Sequence, residues 1–111
     1  MEDKIKSAYL YDFYGELLTK HQRSVYEMSI NDDLSLSEIA DSLSISRQAV
    51  HDILKRCDKL LSDYESRLHL VEKFINIKED VVRINNLTSG KPDANTLSEI
   101  SRLSELILEE L

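Results

Sequence analysis

Leu36-Ser37-Glu38-Ile39-Ala40-Asp41-Ser42-Leu43-Ser44-Ile45-Ser46-Arg47-Gln48-Ala49-Val50-His51-Asp52-Ile53 is the stretch on which the fold turns. Its apolar residues stand at Leu36, Ile39, Ala40, Leu43, Ile45, Val50 and Ile53, a helical period interrupted once, at Ser44-Ile45-Ser46. Ser35 and Glu38 have the spacing of a capping box ahead of the first half, and Ser46 can cap the second. Two helices joined by so short a turn must cross at close range, and Ala40 is the small residue such a crossing requires. Leu36, Ile39, Leu43, Val50 and Ile53 fill the wedge between them, and Ile45 plugs the turn. Ser44 stands where a glycine is common, and a small polar residue there can take the left-handed conformation. The pattern predicts a helix-turn-helix.

The same period extends to both sides. Downstream, Ala49, Val50, Ile53, Leu54, Cys57, Leu60, Leu61 and Tyr64 fall within an arc of about 140° and prolong the second helix through about Tyr64. Upstream, Thr19 and Gln22 form another capping box, opening a helix over about Lys20 to Ile30 that turns Val25 and Met28 inward. Before it, Ile5, Tyr9, Phe13 and Leu17 recur at four-residue steps and predict a first helix facing inward along that line, closed by Leu18. A fifth helix is expected over about Leu70 to Leu87, with Val71, Phe74, Ile75, Val81 and Val82 inward and Lys78 and Asn85 intruding. Ser89-Gly90-Lys91-Pro92 is the clearest linker. The last helix, about Asn95 to Glu110, presents Leu97, Ile100, Leu103, Ile107 and Leu111.

Composition agrees with an all-α chain. The 111 residues include only 2 Gly and 1 Pro, too few for the turns of an all-β protein. With 1 Cys no internal disulfide can form, and the longest apolar run, Ala8–Tyr11, is far too short to cross a membrane. Met1-Glu2-Asp3-Lys4 does not read as a secretory signal, so a cytoplasmic location without membrane insertion is expected. The net charge of -7 makes the chain a poor general binder of phosphate backbones. Residues 36–67 are the least acidic third, with five Lys/Arg against six Asp/Glu. Two domains are expected: 1–69, the helix-turn-helix domain, and 70–111, a helical extension with surplus apolar surface that would make a homodimer, antiparallel or crossed because of Glu105, Glu109 and Glu110.

Chemistry is confined to one helix face. Arg47, Gln48, His51, Lys55 and Lys59 point away from the expected core of the long helix, with Asp52, Asp58 and Ser62 among them and Arg56 at the edge. In a helix-turn-helix the first turns of the second helix enter the major groove, so Arg47, Gln48 and His51 would lie nearest the bases. Arg pairs with guanine and Gln with adenine, while Lys55 and Lys59 would reach phosphates. The same face also reads as a solvated surface with charge pairs such as Asp52 and Arg56. Tyr9, Tyr11, Phe13 and Tyr14 could stack on bases but at helical spacing are read as core. His21, His51 and His69 lack partners at metal-ligand spacing, Cys57 lies on the core face, and there is no Gly-rich phosphate loop. No enzyme activity, cofactor or metal is expected.

Leu18-Thr19-Lys20-His21-Gln22-Arg23 and the run from Leu34 to Leu61 resemble region 4 of bacterial sigma factors. The blocks from Asp12 to Thr19, from Asp32 to Ala40 and from Ile45 to Asp52, continued by Tyr64-Glu65, resemble the YlxM family more closely, over about residues 5–75. That resemblance implies a sigma-region-4-like, all-helical protein of Gram-positive bacteria and their relatives. It further implies an accessory or regulatory role beside the signal-recognition-particle (SRP) GTPase and its receptor. The partners it suggests are DNA or the particle's RNA or, alternatively, the GTPase or its receptor bound without nucleic acid.

Overall fold

The computed structural model describes Asp3–Leu111; Met1 and Glu2, part of the terminal segment read above for a secretory signal, lie outside the described residues. Among these residues there are six α-helices, one 3-10 turn and no strand: α1 (Asp3–Tyr14), the turn Gly15–Leu17, α2 (Lys20–Ile30), α3 (Leu36–Leu43), α4 (Arg47–Leu68), α5 (Leu70–Leu87) and α6 (Ala94–Glu110). The chain divides into two compact units, the first ending at His69 and the second spanning Leu70–Leu111.

Local chemistry sets the helix starts in the first unit. Thr19 Oγ1 accepts from the Gln22 amide at 3.1 Å while the Gln22 side chain accepts from the Thr19 amide at 3.0 Å. Ser35 and Glu38 repeat this reciprocal cap at 3.1 and 3.0 Å, and Ser46 Oγ accepts from the Ala49 amide at 3.0 Å. The break between α3 and α4 is made by Ser44 at φ 56 and ψ 41. Left-handed backbone strains a side chain with a Cβ by roughly 1–2 kcal/mol. Ser44→Gly is therefore expected to raise stability by about 1 kcal/mol, read as a higher denaturant midpoint.

Val25 from α2, Ile39 from α3 and Val50 from α4 are wholly buried, and Ala40 is only 6% exposed among them. Ile45 and Leu43 pack against this cluster, closing the turn. Further along α4, Cys57 and Leu61 are also wholly buried, as are the rings of Tyr14 and Tyr26 almost completely. Buried tyrosines need an acceptor for the hydroxyl. Tyr26 donates to Asp58 at 2.8 Å and Tyr14 to Glu65 at 2.5 Å, so α1 and α2 are each tied to α4 by a hydroxyl–carboxylate bond. Tyr11 donates to Glu27 and stacks on Tyr26 with ring centroids 5.5 Å apart.

The first helix corrects the expected inward line. Ile5 and Leu17 are about half exposed and Phe13 is 37% exposed, whereas Leu10, Tyr14 and Leu18 are buried. Four-residue steps drift by about 40° each, so the line leaves any one face within three steps. The α-helix also ends at Tyr14, and the tighter Gly15–Leu17 turn takes Leu17 off its lattice. A Cβ on Gly15 would stand 2.8 Å from the Tyr11 ring. Gly15→Ala is expected to displace that ring from Tyr26 and Glu27 and lower stability by about 1 kcal/mol, because the partly exposed ring can swing aside.

In the second unit α5 and α6 pair antiparallel. Asp93 caps α6, accepting from the Thr96 amide at 2.7 Å. Arg83 meets Glu99 at 3.1 Å, and the Asn76 amide donates to Glu110 at 3.2 Å. Leu103 is buried and Ile100 and Ile107 are half-buried, as the periodicity predicts, but Leu97 and Leu111 are exposed. On α5 Val71 is buried and Ile75 half-buried as expected, whereas Phe74, Val81 and Val82 are exposed and Ile77, Ile84 and Leu87 are half-buried instead. No described helix is long and apolar enough to cross a membrane.

Candidate nucleic-acid interface

Burial of Val50, Cys57 and Leu61 fixes the rotation of α4 and turns the opposite side outward. Arg47, Gln48, His51, Lys55 and Lys59 are all exposed there. They fall into two groups. Arg47, Gln48 and His51 line a shallow depression of about 430 Å³, walled on its far side by Leu36 of α3. Lys55 and Lys59 line a longer open groove of about 830 Å³, together with Arg56, Ile53 and Leu60, and with Asp52 and Asp63.

Asp52 organises the first group. Its Oδ1 accepts from Gln48 Nε2 at 3.0 Å and lies 3.6 Å from His51 Nδ1. A carboxylate so placed can orient both side chains toward the depression, and it also sets a negative charge beside it. In the second group Lys55, Arg56 and Lys59 make no ion pair among the described residues. Arg56, set at the edge of the face by the wheel, belongs to this group as fully as the two lysines. The signal for it was its place one turn before Lys59 and Leu60. Leu36, read only as a core residue, doubles as the wall of the first depression.

The surroundings stay acidic. Glu38 caps α3, and its hydrogen bonds with Ser35 hold its carboxyl below the usual carboxylate range. Asp33 is held low by Lys4, 2.8 Å away. The described residues contain no group of three or more metal-ligating side chains. Cys57 is buried with its thiol pushed up to about 11, by burial first and by Asp58 second, and its Sγ faces the Gln22 carbonyl at 3.9 Å.

Residues 1–101 match the family described as "UPF0122: Putative helix-turn-helix protein, YlxM / p13 like". The chain belongs to the UPF0122 (YlxM) family. A UPF0122 protein of Clostridium kluyveri is 54% identical over 104 residues, covering 90% of this chain and 93% of the relative. One from Clostridium novyi is 47% identical over 107 residues, covering 90% and 93%. One from Bacillus licheniformis is 41% identical over 97 residues, covering 87% and 91%. The UPF0122 match spans both units, and the helix-turn-helix in the family's description corresponds here to α3, the Ser44–Ser46 turn and α4.

Proposed function

We propose that this UPF0122 protein is a non-enzymatic, nucleic-acid-binding regulatory or accessory protein of the cytoplasm, acting in the SRP protein-targeting pathway. The observation that carries the binding role is the outer face of α4, where Arg47, Gln48 and His51 share one depression and Lys55 and Lys59 line the next. Arg47 and Gln48 are the base-reading side chains, and Lys55 and Lys59 contact phosphates. No cofactor takes part. The pathway follows from the family resemblance. Residues 1–69 act as the binding domain and 70–111 as the dimerisation element of a homodimer. That second role is supported by the exposed Val81, Val82, Leu97 and Leu108.

Titration against duplex DNA and a structured RNA at several salt concentrations tests this. Lys55→Ala and Lys59→Ala are expected to weaken binding to all sequences, each lowering the salt slope by about one ion on duplex DNA. Arg47→Ala or Gln48→Ala is expected to relax preference at one position instead. If neither polymer binds in a salt-dependent way at low salt, the protein acts by docking on the targeting GTPase or its receptor. That second reading is favoured by the net charge of -7, which suits a basic protein surface.

A further inference from the structure

The first depression beside α4 has walls of different chemistry, drawn from two helices. Leu36 of α3 stands across about 430 Å³ from Arg47, Gln48 and His51 of α4. Leu36 is half-buried and packs against the cluster of Val25, Ile39, Ala40 and Val50, so its methyl groups are held in place. Gln48 is held as well. Its Nε2 donates one hydrogen to Asp52 Oδ1 at 3.0 Å, which leaves the carbonyl and the second N–H for a ligand. Arg47 and Asp52 carry opposite charges at this end of the helix and offset one another. A phosphate gains little from such a site, whereas an uncharged edge with donors, acceptors and an apolar group fits it.

We infer that this depression reads the major-groove edge of an A·T base pair in duplex DNA, with Leu36 against the thymine methyl group. Adenine shows N7 as acceptor and its N6 amino group as donor, which the free N–H and the carbonyl of Gln48 match as a pair. Beside them thymine shows O4 and a C5 methyl group, the one methyl on any major-groove edge. Leu36 is the one apolar side chain among the described residues lining the depression. Arg47, the residue before Gln48, reaches the adjoining pair, where its guanidinium fits guanine. Asp52 is a positioning residue: it touches no base and fixes which way the Gln48 amide faces. RNA fits poorly, because uracil lacks the methyl group and the A-form major groove is too deep and narrow for side chains to read. The inference rests on α4 binding nucleic acid, and it narrows that reading to duplex DNA and to one base pair.

Removal of a single methyl group from the DNA tests the contact. The unaltered full chain, offered a randomised duplex DNA pool, is expected to enrich a sequence with an A·T pair beside a G·C pair. Deoxyuridine in place of the thymine of that A·T pair removes only the methyl group and is expected to weaken binding about fourfold, the value of one buried methyl. Leu36→Ala is expected to bind the thymine and deoxyuridine duplexes equally. Asp52→Ala is expected to bind duplexes of any sequence more tightly and to lose the preference for A·T at that pair. Asp52→Asn, whose side-chain carbonyl can still accept from Gln48, is expected to keep the preference. Leu36 also packs on the core, so circular dichroism checks that its variant folds. Whatever that variant does, equal binding of the two duplexes by the unaltered protein overturns the methyl contact. A thymine preference that persists in folded Leu36→Ala overturns the part given to Leu36, and an unchanged A·T preference in Asp52→Ala the part given to Asp52. Salt-dependent binding that enriches no A·T pair, or binding of a structured RNA alone, overturns the inference and keeps the nucleic-acid role. No binding of either polymer removes both.

Discussion

Raising the pH through about 9 to 12 is expected to unfold the first unit, because three groups in it resist losing their protons when folded. Burial pushes the Cys57 thiol from 9.0 up to about 11, with Asp58 adding to it. Tyr11 is pushed from 10.0 up to about 12, by burial first and then by its bond to Glu27. Tyr26 is pushed up too, by burial first and by Asp58 as acceptor, against an opposing contribution from Ser7. In each case the folded value lies above the unfolded one, so the unfolded chain ionises first. The stabilisation is full below the unfolded value and is lost as pH rises through the folded one. Cys57 and Tyr26, the two buried groups, each remove up to about 1.4 kcal/mol per pH unit within their windows, together several kcal/mol by about pH 12, while the solvent-screened Tyr11 adds little. That is comparable to the whole stability of a small domain, about 5–15 kcal/mol. Far-UV circular dichroism against pH follows the transition. Tyr26→Phe, which keeps the ring and removes the titrating hydroxyl, is expected to move its midpoint upward. An unmoved midpoint would show that Tyr26 does not drive it.

Ala40→Leu is expected to lower stability by about 3 kcal/mol, the upper end of what overpacking costs. Ala40 sits among the wholly buried Val25, Ile39 and Val50, where three added carbons can be accommodated only by separating α3 from α4. Ser42→Leu, on the exposed side of the same helix, is expected to change stability by less than about 0.5 kcal/mol. Denaturant midpoints of the two variants compare them directly, and equal midpoints would remove Ala40 from the helix crossing.

Short-range chemistry was the legible part of this fold. The Thr19/Gln22 and Ser35/Glu38 boxes and the Ser46 cap involve neighbours three residues apart, so spacing alone specifies them. The rotation of α4 was also legible, since Val50, Cys57 and Leu61 are buried as the wheel requires. Faces set by distant partners were not. The buried side of α1 holds Tyr14, whose hydroxyl is satisfied by Glu65, fifty-one residues away, and no local pattern marks that carboxylate as its acceptor. On α5 the valines at 81 and 82 look like core by type, yet α6 covers the side that carries Ile84 and Leu87. The candidate site was legible as a helix face. Its division into two depressions was not, because that depends on Leu36 of α3 and on the hold of Asp52 over Gln48 and His51.

The 22 residues of α4 make it a rod about 33 Å long. From Arg47 to Lys59 the rod advances about 18 Å, more than the roughly 12 Å width of a major groove. On the proposed reading, with the first cluster at the base edges, the second would lie about one to two turns further along the helix, where it would meet backbone phosphates. The helix would thus work as a gauge under that reading, since it fixes both the separation and the angular phase between its two clusters. One residue inserted between Asp52 and Lys55 would turn the second cluster by about 100° relative to the first. The three wholly buried side chains at 50, 57 and 61 hold the rod against any twist that could compensate.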